Sequence, residues 1–460
     1  MCGIAGSFRC EIDVDAMLDR IEHRGPDGRG TCRSNDLILG HVRLAIQDLD
    51  PRASQPFRYR ETVLAYNGEA WNPDELRRES DSLSPSPHPW QTSSDTEPIA
   101  RLFDQVGIAC LRLIDGMFAV ALDGPQGSWL ARDRYGKIPL YYAEYGGGYV
   151  FASELKAFDP AWGVRPQAVP PGHALNLDSR VMMRWDQGFV APPCEPEGVL
   201  DMLREGVRKR LISDRPVCFL LSGGLDSSLV LALAKELHPD PVAYTAVYDS
   251  QSDDLAMARR VAQELEVPLV EVQIPRPTPQ LIADAVAAVE VPMKAQVEIA
   301  LAHLPLMRAI ASDGYRVALS GEAADELFCG YGNMMMAAGR AQSDAEYRDV
   351  IRRAVDKMSR GNFVRVNKVM MAAGVEGRLP FMEEALVAAA LASSKASNPP
   401  GKKVLKAAAA SMLPPYVIKR KKDTFQGGTG IAAAVGDFID SPTKYYNAEA
   451  RELFGFLPKE

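Results

Sequence analysis

The second residue of the chain is a cysteine. If Met1 is removed, Cys2 carries both a thiol and a free α-amine. An α-amine has a pKa of roughly 8, low enough to act as a base beside the thiol, so one residue supplies nucleophile and base together. Downstream, His23-Arg24-Gly25-Pro26-Asp27 is a charged glycine-proline turn, and His41-Val42-Arg43-Leu44-Ala45-Ile46 sets one arginine among apolar neighbours. Tyr66-Asn67-Gly68-Glu69 offers a side-chain amide and an unhindered backbone N–H, the pair that can stabilise a tetrahedral oxyanion. Ser94-Asp95-Thr96-Glu97 puts a carboxylate at an expected helix start. Taken singly, each is more often a turn or a cap than a site.

A second cluster, Leu221-Ser222-Gly223-Gly224-Leu225-Asp226-Ser227-Ser228, stands between a strand pattern and a helix pattern. Two glycines let the backbone approach a phosphate closely, and the unpaired N–H groups of a helix start face the anion. Ser222, Ser227 and Ser228 add hydroxyl donors. Asp226 is badly placed for direct phosphate contact but well placed to hold a magnesium ion that bridges phosphates. The GK[ST] ending of a Walker A loop is absent. A plain turn accounts for two glycines, not for the serines and the acid as well.

The elements that must position these residues fall into two kinds. Over the first ~190 residues, short runs such as Leu37-Ile38-Leu39, Val63-Leu64-Ala65-Tyr66 and Phe118 to Leu122 alternate with Gly, Pro and Asp turns. Trp129-Leu130-Ala131, Leu140-Tyr141-Tyr142 and Tyr149-Val150-Phe151 follow, and a helix is expected over Thr96 to Val106. This is the pattern of a layered antiparallel α+β domain, residues 1–190. A proline-rich linker, Ala191-Pro192-Pro193-Cys194-Glu195-Pro196, then leads to a second domain, 191–460. There Val217 to Leu221, Val242 to Tyr248, Leu269 to Ile274 and Arg316 to Leu319 read as strands. Helices over Ser228 to Leu237 and Asp254 to Glu266 separate them, which implies a parallel, doubly wound α/β sheet. From Asn333 onward the chain reads as mostly helical, and Met334-Met335-Met336 as helix packing.

Composition narrows the function. A chain of 460 residues with 47% hydrophobic and 24% charged residues is an ordinary globular protein of two or three domains. Its formal net charge of −8 argues against general nucleic-acid binding. The seven cysteines are scattered and form no CxxC pair, so neither a disulfide framework nor a zinc site is indicated. No apolar run reaches the ~18 residues that span a bilayer, and the N-terminus has no signal-peptide pattern. No membrane partner and a cytoplasmic location are the expectations.

In this order, the N-terminal segments resemble the N-terminal-nucleophile glutaminase domain of class II glutamine amidotransferases. The likeness continues through Ala131-Arg132-Asp133-Arg134-Tyr135-Gly136-Lys137 and Phe151-Ala152-Ser153-Glu154-Leu155-Lys156. It implies that Cys2 attacks the amide carbon of glutamine while Asn67 and Gly68 bind the oxyanion. Arg43 would take the substrate α-carboxylate through its two-pronged guanidinium, and Glu69 and Asp95 the α-ammonium. The Ser222 cluster resembles the pyrophosphate-binding loop of ATP pyrophosphatases, with Leu319-Ser320-Gly321-Glu322-Ala323-Ala324-Asp325-Glu326 as its partner. By that resemblance Leu220, Ser222, Gly223, Gly224, Asp226, Ser227, Val247, Ser320 and Gly321 bind ATP, with Val247 touching the adenine. Asp325 shares Mg2+ with Asp226, and Glu322 serves proton transfer at the acyl-adenylate. Gly374-Val375-Glu376-Gly377-Arg378-Leu379-Pro380-Phe381 and Lys419-Arg420-Lys421-Lys422-Asp423-Thr424-Phe425 complete it. Lys422 would neutralise charge on the α-phosphate or pyrophosphate.

Both halves together are similar to the asparagine synthetase B family. The implied partners are glutamine, ATP and a small carboxylic acid acceptor, with ammonia crossing an internal tunnel that shields it from water. A homodimer is compatible with the likeness. Where the family carries an arginine that helps recognise aspartate, gapless counting back from Gly321 places Glu298, with Lys294 and His303 nearby. A glutamate would repel an aspartate carboxylate, so Glu298 is the acceptor-site candidate and a carboxylic acid other than aspartate the expected acceptor. Aspartate itself is the first alternative. A lactam-forming relative is disfavoured because Cys2 and Glu322 are retained, and a non-catalytic scaffold because Cys2, Asp226 and Asp325 are all present.

Overall fold

Several strands early in the chain are buried on both sides, because they lie between other layers. The computed structural model describes residues 1–84, 88–188, 191–420, 431–436 and 439–456. Twelve strands occur among the described residues before the linker: β1 (Gly3–Phe8), β2 (Gly28–Ser34), β3 (Leu37–Arg43), β4 (Phe57–Tyr59), β5 (Thr62–Ala70), β6 (Gly116–Asp123), β7 (Trp129–Arg132), β8 (Tyr141–Tyr145), β9 (Gly148–Ala152), β10 (Gln167–Ala168), β11 (His173–Asn176) and β12 (Val181–Arg184). They form two six-stranded antiparallel sheets, ordered β10-β8-β9-β1-β3-β2 and β12-β11-β7-β6-β5-β4.

Ile4, Leu37 and Leu39 of the first sheet face Val63, Ala65 and Ala119 of the second across a common core. The outer face of the first sheet is covered by the helix Val14–Asp19 through Val14, Met17 and Leu18. The outer face of the second packs on Leu76 and on Ile99, Leu102 and Phe103 of the helix Thr96–Val106. Every residue of β1 and β6 is buried, so the polar-apolar alternation of a half-exposed strand is missing there. The layered antiparallel α+β arrangement expected from the sequence is present, including the helix at its expected limits.

Beyond the linker the sheet is parallel: β13 (Val217–Leu220), β14 (Ala243–Val247), β15 (Leu269–Gln273), β16 (Val317–Leu319) and β17 (Glu376–Arg378), ordered β15-β14-β13-β16-β17. The chain leaves β13 toward one edge through β14 and β15, then returns to lay β16 on the other side. The order therefore reverses between β13 and β16, and a crevice opens at the carboxyl ends of those two strands. The linker is docked rather than free: Cys194 is buried and its N–H donates to Ser393 Oγ at 2.9 Å. Two expectations need adjusting. The helix after the glycine turn begins at Leu225, three residues earlier than Ser228, with Gly224 in extended conformation at its N-cap. The methionine run is only partly packed, since Met336 is 61% exposed. Among the described residues no helix is long and apolar enough to cross a membrane.

Candidate active centres

The loops and strand ends around Cys2 close on one pocket. Cys2, Arg43, Gly68, Glu69 and Asp95 line it together with Gln47, Ser94 and Thr96. Asn67 stands behind: its Oδ1 accepts the Cys2 N–H at 2.9 Å, and its Nδ2 donates to Ser153 Oγ at 3.2 Å. The Asn67-Gly68 pair is not in a turn but inside β5, opposite Ala119 and Phe118 of β6. A Cβ on Gly68 would fall against the Met117 carbonyl, so glycine is what lets β6 approach. Asp95 does begin a helix, yet its side chain does not cap it; the carboxylate reaches across to accept the Ala70 N–H at 2.9 Å. Arg43 is buried, with Nη1 donating to the Asp50 carbonyl at 3.0 Å and Nη2 to that of Asp48.

Burial shapes the electrostatics of this pocket. It pushes the Cys2 thiol up, with the N-terminal ammonium opposing. It raises Asp95 to about 6 and, with Glu376 adding repulsion, holds Glu69 well above the usual carboxylate range. The Met1 ammonium is itself buried and pairs with Glu376, which comes from β17 in the other half of the chain. Burial alone would lower that amine, but Glu376, Cys2 and Glu69 outweigh it and its pKa is raised.

At the β13–β16 crevice the second centre takes shape. Ser227 Oγ accepts the Ser222 N–H at 3.2 Å and lies 3.1 Å from Ser222 Oγ, so the loop closes on itself beneath the helix start. Gly321 packs against the Ser227 nitrogen, which brings the two loops into direct contact. Leu220 ends β13 and Val247 ends β14 on the same side. Asp226 and Asp325 converge on one positive charge, the ammonium of Lys402, at 2.6 and 2.7 Å. Two carboxylates aimed at one point fit Mg2+, a hard cation that takes few protein oxygens and completes its shell with phosphate and water. Among the described residues no set of three or more His, Cys, Asp or Glu could hold an ion alone. Lys422 lies outside the described residues.

Residues 1–182 match the glutamine amidotransferase domain family, and residues 198–355 and 335–457 match the asparagine synthase family. The glutamine-hydrolyzing asparagine synthetase of Asparagus officinalis is 31% identical over 413 residues, 84% of this chain and 68% of that protein. The chain belongs to the asparagine synthetase family. Glutamine-hydrolyzing asparagine synthetase 2 of Arabidopsis thaliana is 33% identical over 417 residues, covering 84% of this chain and 69% of its own. Among solved structures, the glutamine phosphoribosylpyrophosphate amidotransferase of B. subtilis complexed with ADP and GMP is 21% identical, covers 54% of this chain and 67% of its own, and gives a TM-score of 0.36.

In this member of the asparagine synthetase family, the surroundings of Glu322 differ from what the sequence suggested. Glu322 Oε1 accepts from Arg365 Nη2 at 2.5 Å. Arg365 Nε donates to Gln296 Oε1 at 2.8 Å, and its Nη1 lies 3.4 Å from His303 Nδ1. Asn362 Nδ2 donates to Glu326 Oε1 at 2.9 Å and sits 3.5 Å from Glu322 Oε2. Burial lowers His303 to about 3, so it is neutral, and burial with repulsion from Glu322 raises Glu326 to about 7. Glu298 is not brought to this cluster. On the helix Lys294–Ser312 it stands two residues from Gln296 and so points to the opposite side, where it pairs with Lys294 at 3.7 Å. The arginine that meets Glu322 comes instead from the helix Asn362–Met371.

Arg365 and Lys402 escaped the sequence reading. Lys402 sits in Gly401-Lys402-Lys403, which looks like a solvated basic run. The one available signal was Gly330: a Cβ there would fall on Asp325 Oδ1 and Lys402 Cε, so the glycine leaves a passage for the lysine.

Proposed function

We propose that the protein is a glutamine-dependent, ATP-consuming amide synthetase, with a glutaminase domain over 1–190 and a synthetase domain over 191–460. The observation that carries the glutaminase reading is the convergence of Cys2, Arg43, Gly68, Glu69 and Asp95 on one pocket. Cys2 attacks the glutamine amide carbon, the α-amine freed by loss of Met1 shuttles the proton, and Asn67 and Gly68 hold the oxyanion. Ammonia leaves, and water releases glutamate from the thioester. At the second centre the acceptor carboxylate attacks the α-phosphorus of ATP; Ser222, Gly223, Gly224 and Ser227 hold the pyrophosphate as it departs. Asp226 and Asp325 are the residues that would hold Mg2+, which neutralises the phosphate charge. Lys422 is assigned the same neutralising task. Ammonia then attacks the acyl-adenylate, Glu322 taking up the proton, and AMP leaves. A cavity between the halves, lined by Trp71, Met117, Ile138, Phe363, Val366 and Leu379 with Lys137, Arg210 and Asn367, supports passage of neutral ammonia.

For the acceptor, the reading is a carboxylic acid other than aspartate. The support is no longer Glu298 but the charge state around Glu322. Among the described residues of that cluster, Arg365 is a cation that Glu322 pairs with, and Gln296, Asn362, Glu326 and neutral His303 are further polar groups there. Such a cluster suits an acid whose single carboxylate is consumed by adenylation. Aspartate would bring a second carboxylate that competes with Glu322 for Arg365. Pyrophosphate release with Mg-ATP and glutamine across a panel of carboxylic acids tests this directly. Release with aspartate, and asparagine as product, would overturn the acceptor reading; silence with aspartate and release with another acid is the expected result.

A further inference from the structure

Arg378 belongs to β17 and is fully buried, and its main chain and side chain face different centres. Its carbonyl accepts the Ser320 N–H at 3.0 Å, so it fixes the loop that carries Gly321 and Glu322. Its guanidinium points toward the glutamine pocket. Nε donates to Glu376 Oε1 at 2.5 Å, and Nη1 donates to the carbonyls of Arg210 and Ile212 at 2.8 and 2.6 Å. Nη2 lies 3.5 Å from Glu69, the pocket carboxylate, and makes no hydrogen bond among the described residues. A buried donor left in that state is costly unless a partner is close at hand.

The groups facing Glu69 are Glu376, Arg378, Asp95 and the N-terminal ammonium, while Gln47 Nε2 donates to its Oε1. Burial and Glu376 both disfavour the charged form, and Arg378 is the largest influence opposing them. We propose that Arg378 is a positioning residue for glutamine binding, a residue of the synthetase half that holds Glu69 in place as a carboxylate for the substrate ammonium. Because its carbonyl also carries Ser320, one residue belongs to both centres. The inference rests on the glutaminase reading of the pocket.

The test uses the full-length processed enzyme, its Arg378→Gln and Arg378→Lys variants, and glutamate formation measured against glutamine concentration and pH. Arg378→Gln raises KM for glutamine by about tenfold or more at pH 7, because Glu69 loses the positive neighbour that favours its charged form. The deficit shrinks as pH rises, kcat stays within about threefold, and Arg378→Lys restores most of the affinity. Unchanged KM and pH profile in both variants would overturn the proposal, and so would a fall in kcat alone, the mark of a merely structural role. If Arg378→Gln does not fold, as judged by its Tm, Arg378→Lys carries the test: a raised KM at unchanged kcat supports the proposal, and wild-type KM refutes it. A wild-type enzyme that makes no more glutamate than Cys2→Ala would remove the glutaminase reading itself. An active wild type with an indifferent Arg378 removes only this inference.

Discussion

Replacing Lys402 by methionine isolates the charge on which Asp226 and Asp325 converge. The ammonium lies 2.6 and 2.7 Å from the two carboxylates, and all three side chains are at most 10% exposed. At an effective dielectric of 20 each contact has a Coulomb energy of about 6 kcal/mol before desolvation is subtracted. Breaking such a buried arrangement from one side costs ~3–5 kcal/mol, because both carboxylates lose the cation held between them. Lys402→Met therefore unfolds several degrees below the wild type in the presence of a chelator. Magnesium ion should restore much of that difference, since a ligand at a hundred times its Kd stabilises by about 2.7 kcal/mol. Thermal unfolding of both proteins across a magnesium titration measures this without turnover. A variant within ~0.5 kcal/mol of wild type in chelator, or a magnesium gain equal in the two proteins, would refute the reasoning, since ordinary surface substitutions also stay within that margin.

Other expectations concern the two centres separately. Cys2→Ala abolishes glutamine-dependent amide formation but leaves turnover with added ammonium, and Asp226→Asn does the reverse, stopping pyrophosphate release while glutamate formation survives at least in part; loss of both activities in Cys2→Ala would show that the halves are not separable. Glutamine KM rises as pH falls from 7 to 5, approaching about tenfold per unit, because burial raises Asp95 to about 6 and its protonation removes charge from the ammonium site; a flat KM over that range would exclude the role given to Asp95. Gly330→Ala pushes Asp325 and Lys402 apart at a cost of ~1–3 kcal/mol and suppresses pyrophosphate release, measurable beside its Tm.

Strand and helix existence was largely legible in the chain because periodicity and turn residues agree with the fold over long segments. β17 was not, for an instructive reason: Glu376-Gly377-Arg378 looks like a charged loop. Its two charges are buried only because they pair with each other and with groups from the other half, which one segment cannot announce. Lys402 failed in the same way, a charge whose partners lie 176 residues back and in the Ser320 loop. Glu298 failed through geometry. Counting residues shows which positions share a side of the helix but not which side turns toward Glu322, and two positions separate the face that meets Arg365 from the face that does not.

The burial of Met1 sets a schedule for making the enzyme. Its ammonium lies against Glu376, which is synthesised 375 residues later. At about 5–20 residues per second, that segment leaves the ribosome roughly 20–75 s after the N-terminus. An aminopeptidase has that interval in which the methionine is exposed; once the synthetase half closes over it, Met1 is 2% accessible and out of reach. Under the proposed glutaminase mechanism, which needs Met1 gone, trimming has to precede this closure, and peptidase added to the folded protein is expected to leave Met1 in place.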